Sequence, residues 1–161
     1  MPVIDVNNPY FRTKVLTARP EELRLMLLEG SLRFMRDARE GMGARDYERM
    51  FEGISSARNI VVELMTSLRH DIAPDLCARM DSLYNYMFRR LTEASFEKDA
   101  SKLDEVISLM DYERETWTMV IEKAARERGN APSAPPGAVA GAPAPEAPSR
   151  GAQRAPLSVQ G

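Results

Sequence analysis

The chain has 161 residues, of which 43% are hydrophobic and 29% are charged, and its formal net charge is −2. This length fits one ordinary domain, or a smaller domain with a tail. A mildly acidic chain of mixed charge excludes the basic face that non-specific binding of nucleic acid needs. The single cysteine excludes an internal disulfide and a multi-cysteine zinc site. Without a signal peptide or an apolar run long enough for a membrane span, we expect a soluble cytoplasmic protein with no membrane insertion.

Local composition divides the chain into three parts. The first part has no helical period, and the Asn-Asn-Pro sequence at residues 7–9 predicts a break. An extended arm that carries Tyr10 and Phe11 is therefore expected. The last part is rich in Pro, Ala and Gly, which predicts a disordered tail. The predicted parts are an N-terminal arm over residues 1–19, a four-helix domain over 20–129 and a disordered C-terminal tail over 130–161.

The first predicted helix begins at Pro20. Proline is tolerated at the first helical position, and Glu21 and Glu22 suit the positive end of the helix dipole. The preceding Arg19 cannot accept a hydrogen bond from the first-turn amides, so this start is expected to shift or fray. Apolar residues on two sides of the helix predict that both sides are buried. Gly30 in its interior predicts the close approach of another backbone, because an interior glycine is unfavourable in a helix.

Three further amphipathic helices follow. They are predicted over residues 46–70, from Pro74 onward, and over residues 100–126. A short break precedes the last of these helices, and Asp99 is predicted to cap its start. Trp117 lies on the apolar stripe of the fourth helix and is predicted to lie in the core. Because the connections are short and strand patterns are absent, the sequence predicts an all-α fold. Its predicted form is an antiparallel up-and-down four-helix bundle with an extended N-terminal arm and a disordered C-terminal tail.

The sequence offers little chemistry for catalysis. His70 is the only histidine, and it falls in the last turn of the second predicted helix, where a histidine favours the negative helix end. Di-iron chemistry needs Glu-x-x-His on two helices, but Ser67 stands three residues before His70. Glycine-rich phosphate loops and nucleophile elbows are also absent from the sequence. We therefore predict that the protein is not an enzyme and needs no cofactor or metal.

Surplus apolar surface is the feature that remains. Tyr86 lies off the apolar stripe of its helix, and a single tyrosine of this kind lies along a neighbouring helix about as often as it receives a partner. The two aromatic residues of the arm either hold the arm against the body or occupy a groove that a partner needs. Several such residues in one small bundle favour a groove for amphipathic helices. The candidate partner-binding residues are Tyr10, Phe11, Phe51, Val62, Tyr86, Tyr112 and Met119.

Five short motifs resemble those of the flagellin-specific export chaperones, the FliS family. Residues 83–91, LYNYMFRRL, resemble the family signature L-Y-x-Y-hydrophobic-x-R-x-L. Residues 17–23 resemble the pattern T-A-S-P-x-E-L, and residues 26–30 resemble M-L-Y-D-G. Residues 57–64 resemble A-x-x-I-I-x-E-L, and residues 114–117 resemble R-x-x-W. Two positions depart from the family, since Arg19 replaces a serine and Leu28 replaces a tyrosine. Tyr10 also resembles an N-terminal tyrosine of the family, and the resemblance extends over residues 10–126.

The resemblance implies a chaperone of flagellum biogenesis. Such a protein binds the disordered C-terminal segment of flagellin in the cytoplasm, prevents its premature polymerisation and delivers it to the flagellar type III export apparatus. The free protein is expected to be a monomer or a weak dimer. Two other interpretations stay open. One is a structural helical bundle that self-associates through the same surface, and the other is a regulator that binds another flagellar protein.

Overall fold

A computed structural model describes residues 8–130 of the chain. These residues form five helices, which are α1 (Pro9–Thr17), α2 (Pro20–Gly43), α3 (Tyr47–Thr66), α4 (Pro74–Glu97) and α5 (Ala100–Asn130). Helices α2 and α4 each pack against both α3 and α5, so the four helices form a ring. Sequential neighbours in the ring are antiparallel, which confirms the predicted all-α bundle. The predictions for residues 1–7 and for the tail beyond Asn130 lie outside the described residues.

The predicted extended arm is wrong over Pro9–Thr17, which forms the helix α1. The side chain of Asn8 accepts a hydrogen bond from the backbone N–H of Tyr10 at 3.0 Å and caps the helix. Pro9 takes the first helical position, where a missing N–H is no loss. The residues that predicted a chain break are therefore a helix start. Because α1 buries none of its nine residues, packing adds little stability to a helix of marginal length.

Two helix starts depend on side-chain carboxylates. Helix α2 begins at Pro20 without a shift, because the Glu22 carboxylate accepts a hydrogen bond from the backbone N–H of Arg19 at 2.9 Å. This contact is the half of a capping box that does not need a serine, so the predicted shift of the helix start is wrong. Before α5, the Asp99 carboxylate accepts a hydrogen bond from the backbone N–H of Ser101 at 2.9 Å. The prediction that Asp99 caps this helix is confirmed.

Two helix ends differ from the prediction. Helix α3 ends at Thr66, so His70 lies in the connection to α4 and not in a last helical turn. The Ser67 hydroxyl donates to the carbonyl of Leu64 at 2.9 Å, an interaction by which serine competes with the helical backbone pattern. At the other end of the chain, α5 continues to Asn130, past the predicted end. No helix within residues 8–130 is long and apolar enough to cross a membrane.

The core lies on the inner faces of α2 to α5. On one of the two apolar sides of α2, Leu27 packs against this core and Gly30 is buried, but Phe34 is exposed. In a ring of four helices that side is a flank, which a single neighbour covers in part. The prediction that both sides are buried is therefore wrong at Phe34. The largest fully buried side chains are Leu28, Leu32, Met35, Ile54, Val61, Leu64, Tyr84, Met87, Leu91, Leu103, Val106 and Met110.

Helices α2 and α3 approach each other closely at Gly53. A Cβ atom at position 53 would lie 2.7 Å from the carbonyl oxygen of Phe34 and 2.8 Å from the Cβ of Ala38. At Gly30, where the sequence predicted the close approach of a backbone, an added Cβ would meet only the Ile60 side chain, at 3.6 Å. The prediction for Gly30 is therefore wrong. The contact between α2 and α3, which we call the α2–α3 seam, depends on Gly53 because a larger residue would push α3 away from the α2 backbone.

Gly53→Ala is expected to lower the free energy of unfolding by about 1 kcal/mol or more. Overpacking costs roughly 1 to 3 kcal/mol, and the better helix propensity of alanine returns about 1 kcal/mol at most. Gly30→Ala is the matched control and should be neutral or stabilising, because its added methyl group meets ordinary contact distances. Urea denaturation of both variants measures the difference. Equal stabilisation by the two substitutions would contradict the close approach at Gly53.

Candidate functional site

The structure places the seven predicted partner-binding residues on four surfaces and not in one groove. Helices α3 and α5 lie diagonally across the ring from each other, because each packs against α2 and α4. Their positions are Tyr10 and Phe11 on α1, Phe51 and Val62 on α3, Tyr86 on α4, and Tyr112 and Met119 on α5. A partner that contacts all of them would have to pass around the bundle.

The aromatic residues of α1 do not anchor this helix strongly. Tyr10 is exposed and Phe11 is half-buried. Within residues 8–130, no side-chain hydrogen bond or ion pair joins α1 to the bundle. Of the two expectations for the arm, firm attachment through Tyr10 is therefore wrong.

Tyr86 lies along the neighbouring helix α5, which is one of the two interpretations that the sequence left open. It is half-buried, and its hydroxyl donates a hydrogen bond to the Glu105 carboxylate. Arg90 donates to the same carboxylate at 2.8 Å, and its guanidinium carbon lies 5.8 Å from the centre of the Tyr86 ring. The hydrogen bond from Tyr86 and the charge of Arg90 lower the pKa of Glu105. A residue about 100° from the core stripe occupies the flank of its helix, where a neighbour covers it.

Tyr112 and Met119 lie on the outer face of α5, as predicted. Both side chains are exposed. Met119 lines a depression with Arg114, Glu115, Thr118 and Glu122, all on the same helix. This surface carries charges of both signs, and within residues 8–130 its lining comes from α5 alone, so the described residues do not form an apolar groove there.

Phe51 lies in a groove between α3 and α4, which we call the α3–α4 groove. Its side chain is 56% exposed, and Phe96 from the last turn of α4 is 89% exposed. With Arg58, Thr92 and Ser95, these two rings line a shallow depression of about 350 Å³. The exposed Val62 continues the same flank of α3 one turn beyond Arg58. The groove thus joins two predicted residues, Phe51 and Val62, to a third apolar side chain, Phe96.

Sequence reasoning missed Phe96 and Arg58. The sequence predicts a short break near Phe96 to Asp99, before the last bundle helix, whereas α4 extends to Glu97. Had α4 been extended by one turn, the spacing of four residues from Thr92 to Phe96 would have placed them on one side. Arg58 bears no apolar signal of its own. Its guanidinium carbon lies 5.6 Å from the centre of the Phe88 ring, and its Nη1 donates to the hydroxyl of Thr92 at 3.2 Å.

A second cluster missed from the sequence lies inside the bundle, where α2, α4 and α5 meet. Arg24 donates hydrogen bonds to the Tyr84 oxygen at 2.5 Å and to Glu113 Oε1 at 3.5 Å. The Tyr84 hydroxyl also donates to Glu113. The side chains of Arg24 and Glu113 are only 17% and 11% exposed. Burial raises the pKa of Glu113, and burial together with the charge of Glu113 raises the pKa of Tyr84.

This cluster joins three helices and does not resemble a catalytic site. Tyr84 is fully buried, and the guanidinium carbon of Arg24 lies 5.8 Å from the centre of the Tyr84 ring and 5.4 Å from the centre of the Trp117 ring. Arg24 and Tyr84 form hydrogen bonds with each other and with Glu113, and Arg24 Nη1 also donates to the hydroxyl of Ser67 at 3.4 Å. Across residues 8–130, no group of three or more His, Cys, Asp or Glu side chains is placed to hold a metal ion. The cluster is a structural ion pair of Arg24 and Glu113, and the Tyr84 hydroxyl shares a hydrogen bond with it.

Comparison with known proteins finds relatives along most of the chain. Residues 4–124 match the family model described as "Flagellar protein FliS". The chain is 36% identical to the flagellar secretion chaperone FliS of Bacillus subtilis, over 76% of this chain and 93% of that protein. It is 31% identical to the Salmonella typhimurium FliS, over 68% of this chain and 82% of the relative. It is also 34% identical to FliSB of Pseudomonas aeruginosa, over 65% and 82% of the two chains.

Proposed function

The chain belongs to the FliS family of flagellar secretion chaperones, and from this premise we propose that it binds the disordered C-terminal segment of flagellin before export. The chaperone acts in the cytoplasm and covers apolar surface by which flagellin molecules would otherwise associate. It thereby prevents premature polymerisation and delivers flagellin to the flagellar type III export apparatus. The family match and the names of the relatives support the role in secretion, and the choice of flagellin as client is part of the proposal.

The observation that carries this proposal is the exposed apolar lining of the α3–α4 groove. Phe51 and Phe96 each expose more than half of their surface, although both lie beside a neighbouring helix. An exposed apolar groove between two helices is suited to the apolar face of an amphipathic helix. Burial of these rings by a client releases water from both surfaces, which favours association.

The dimensions of the groove suit a short helical piece of the client. Phe51 and Val62 are eleven residues apart on α3, which corresponds to about 16 Å at 1.5 Å per residue. About three turns of client helix therefore fit along this flank. Coupled folding of a disordered segment typically buries on the order of 1,000 to 3,000 Å². The client consequently extends beyond the groove, and the outer face of α5 with Tyr112 and Met119 is a candidate for the remainder.

Phe51→Ala is expected to weaken binding of the flagellin C-terminal segment about tenfold, or about 1.4 kcal/mol. A ring that is already half exposed contributes little to folding, whereas a rigid aromatic anchor commonly contributes strongly to an interface. Calorimetric titration, run beside thermal melts, measures both effects. Tyr112→Ala is the matched variant, since this tyrosine is also exposed but lies on α5.

The two variants together locate the client. A loss in Phe51→Ala alone confines the client to the α3–α4 groove, whereas losses in both variants indicate that it also reaches α5. Unchanged affinity in Phe51→Ala would contradict the groove as the site. Sedimentation of the protein with and without flagellin tests the function itself, because the proposal expects a 1:1 complex. A dimer that ignores flagellin would instead favour the self-associating structural bundle.

A further inference from the structure

Arg58 differs from the other arginines that connect neighbouring helices. Each of the other three seams of the ring is crossed by an arginine paired with a carboxylate. These pairs are Arg49 with Asp37 between α2 and α3, Arg39 with Asp104 between α2 and α5, and Arg90 with Glu105 between α4 and α5. In the α3–α4 seam, the Arg58 side chain donates a hydrogen bond to the neutral hydroxyl of Thr92 and lies over the Phe88 ring, and neither partner carries a charge.

Apart from Arg58, the depression is lined by apolar or uncharged side chains. Arg58 is the only charged residue of the five that line the depression beside Phe51 and Phe96. Among the ion pairs of the part of the chain that the structure describes, none includes Arg58. A guanidinium carries five N–H donors, and the hydrogen bond to Thr92 uses one of them. The groove therefore presents a cation with unused donors within an apolar surface.

We propose that Arg58 binds a carboxylate of the client, so that the segment laid in the α3–α4 groove carries an Asp or Glu on its groove-facing side. This inference rests on the proposed function, since it concerns the same client and the same groove. Guanidinium and carboxylate groups form two parallel hydrogen bonds when their planes align. A client that covers Phe51 also removes water from Arg58, which strengthens the attraction. An uncharged client would leave this arginine covered without a counter-charge, which is unfavourable and provides specificity.

The position of Arg58 on α3 predicts the spacing in the client. Arg58 follows Phe51 by seven residues and precedes Val62 by four. A client helix that lies along α3 has the same rise per residue. Its acidic residue should therefore lie about two turns from one apolar contact and one turn from the other. The expected pattern is apolar, acidic, apolar on a single face of the bound segment.

The test is a double-mutant cycle between the full chain and synthetic flagellin C-terminal segments. In the chaperone, Arg58→Met removes the charge and keeps an apolar stem, and Arg58→Lys keeps the charge without the planar fork. Arg33→Met is the matched control, because this arginine is exposed on α2 and has no ion-pair partner among residues 8–130. In the segment, each Asp or Glu is replaced singly by Asn or Gln. Affinities are measured by calorimetry at low and high salt.

Arg58→Met is expected to weaken binding of the unsubstituted segment about tenfold, or about 1.4 kcal/mol, whereas Arg33→Met leaves it unchanged. For one substituted segment the effect of Arg58→Met should disappear, and Arg58→Lys should fall between Arg58→Met and the native protein. The contribution of Arg58 should also decrease at high salt. Substitutions in the segment cannot unfold the chaperone. Their effect on affinity can therefore be measured with the native protein even if Arg58→Met is unstable.

Two outcomes would overturn the inference. If Arg58→Met and Arg33→Met bind the unsubstituted segment equally well, Arg58 has no carboxylate partner in the client. If Arg58→Met weakens the binding of every substituted segment by the same factor, Arg58 makes an apolar contact and does not recognise a charge. In both cases the native protein still binds the segment, so the proposed function survives. Failure of the native protein to bind the unsubstituted segment would contradict the proposed function together with this inference.

Discussion

Arg24→Met is expected to lower the free energy of unfolding by about 3 to 5 kcal/mol near neutral pH. Removal of one partner from a buried ion pair leaves the other charge without compensation, and here that charge is Glu113, which is 11% exposed. Methionine retains an apolar stem that can still cover the ring of Trp117. The loss should therefore come chiefly from the charge and from the hydrogen bonds to Tyr84 and Glu113.

The loss in Arg24→Met should depend on pH. Burial raises the pKa of Glu113 above its ordinary value, and removal of the Arg24 charge should raise it further. A carboxyl with a raised folded-state pKa contributes stability that is fully present below its unfolded pKa of about 4.3. That stability is lost as the pH rises through the folded pKa. The penalty of Arg24→Met should consequently be largest near pH 7 and should shrink toward pH 4.5, where folded Glu113 takes up a proton.

Urea denaturation of the native protein and of Arg24→Met across this pH range measures the penalty, since other titrating groups cancel in the difference. The control is the double variant Arg24→Met with Glu113→Gln, which removes the buried charge as well. It should recover a large part of the stability that Arg24→Met loses. A penalty that is the same at every pH, with no recovery in the double variant, would assign the loss to packing of Arg24 on Trp117 and Tyr84.

The sequence predicted the elements of the fold that have a local signal. Apolar periodicity located the four bundle helices, and Asp99 was recognised as a cap because capping needs a residue only two positions away. The start of α1 was misinterpreted, since Asn8-Pro9 fits a turn and a helix start equally well. Gly53 could not be distinguished from Gly30, because the approach of two helices depends on their packing and not on either helix alone.

The candidate site was predicted in part, for a related reason. A helical wheel shows that a side chain lies off the core stripe, but it does not show which neighbour covers that flank. Tyr86 lies beside α5, whereas Phe51 lies beside the uncovered end of α4. The cluster of Arg24, Tyr84 and Glu113 has no local pattern at all, because its members are 60 and 89 residues away from Arg24 along the chain. Long-range polar contacts of this kind require the packed structure.

Trp117→Ala is expected to lower the free energy of unfolding by about 3 kcal/mol, at the lower end of the range for a buried tryptophan. Trp117 packs against the core but is only half-buried. Its Nε1–H donates to the backbone carbonyl of Glu21 at 2.8 Å, which connects α5 to the start of α2. The variant therefore loses apolar contact, a hydrogen bond and the surface on which Arg24 rests.

Trp117→Phe separates these contributions and tests the assignment of Trp117 to stability. It keeps a ring against the core and removes the hydrogen bond to Glu21, so it should lose only about 1 kcal/mol. Since Trp117 lies on α5 beside α2 and outside the α3–α4 groove, Trp117→Phe should bind the flagellin C-terminal segment as tightly as the native protein. Thermal melts and calorimetric titration of both variants provide the two measurements. If Trp117→Ala kept its melting temperature but lost flagellin, Trp117 would belong to the client surface, and the groove would extend across a second pair of helices.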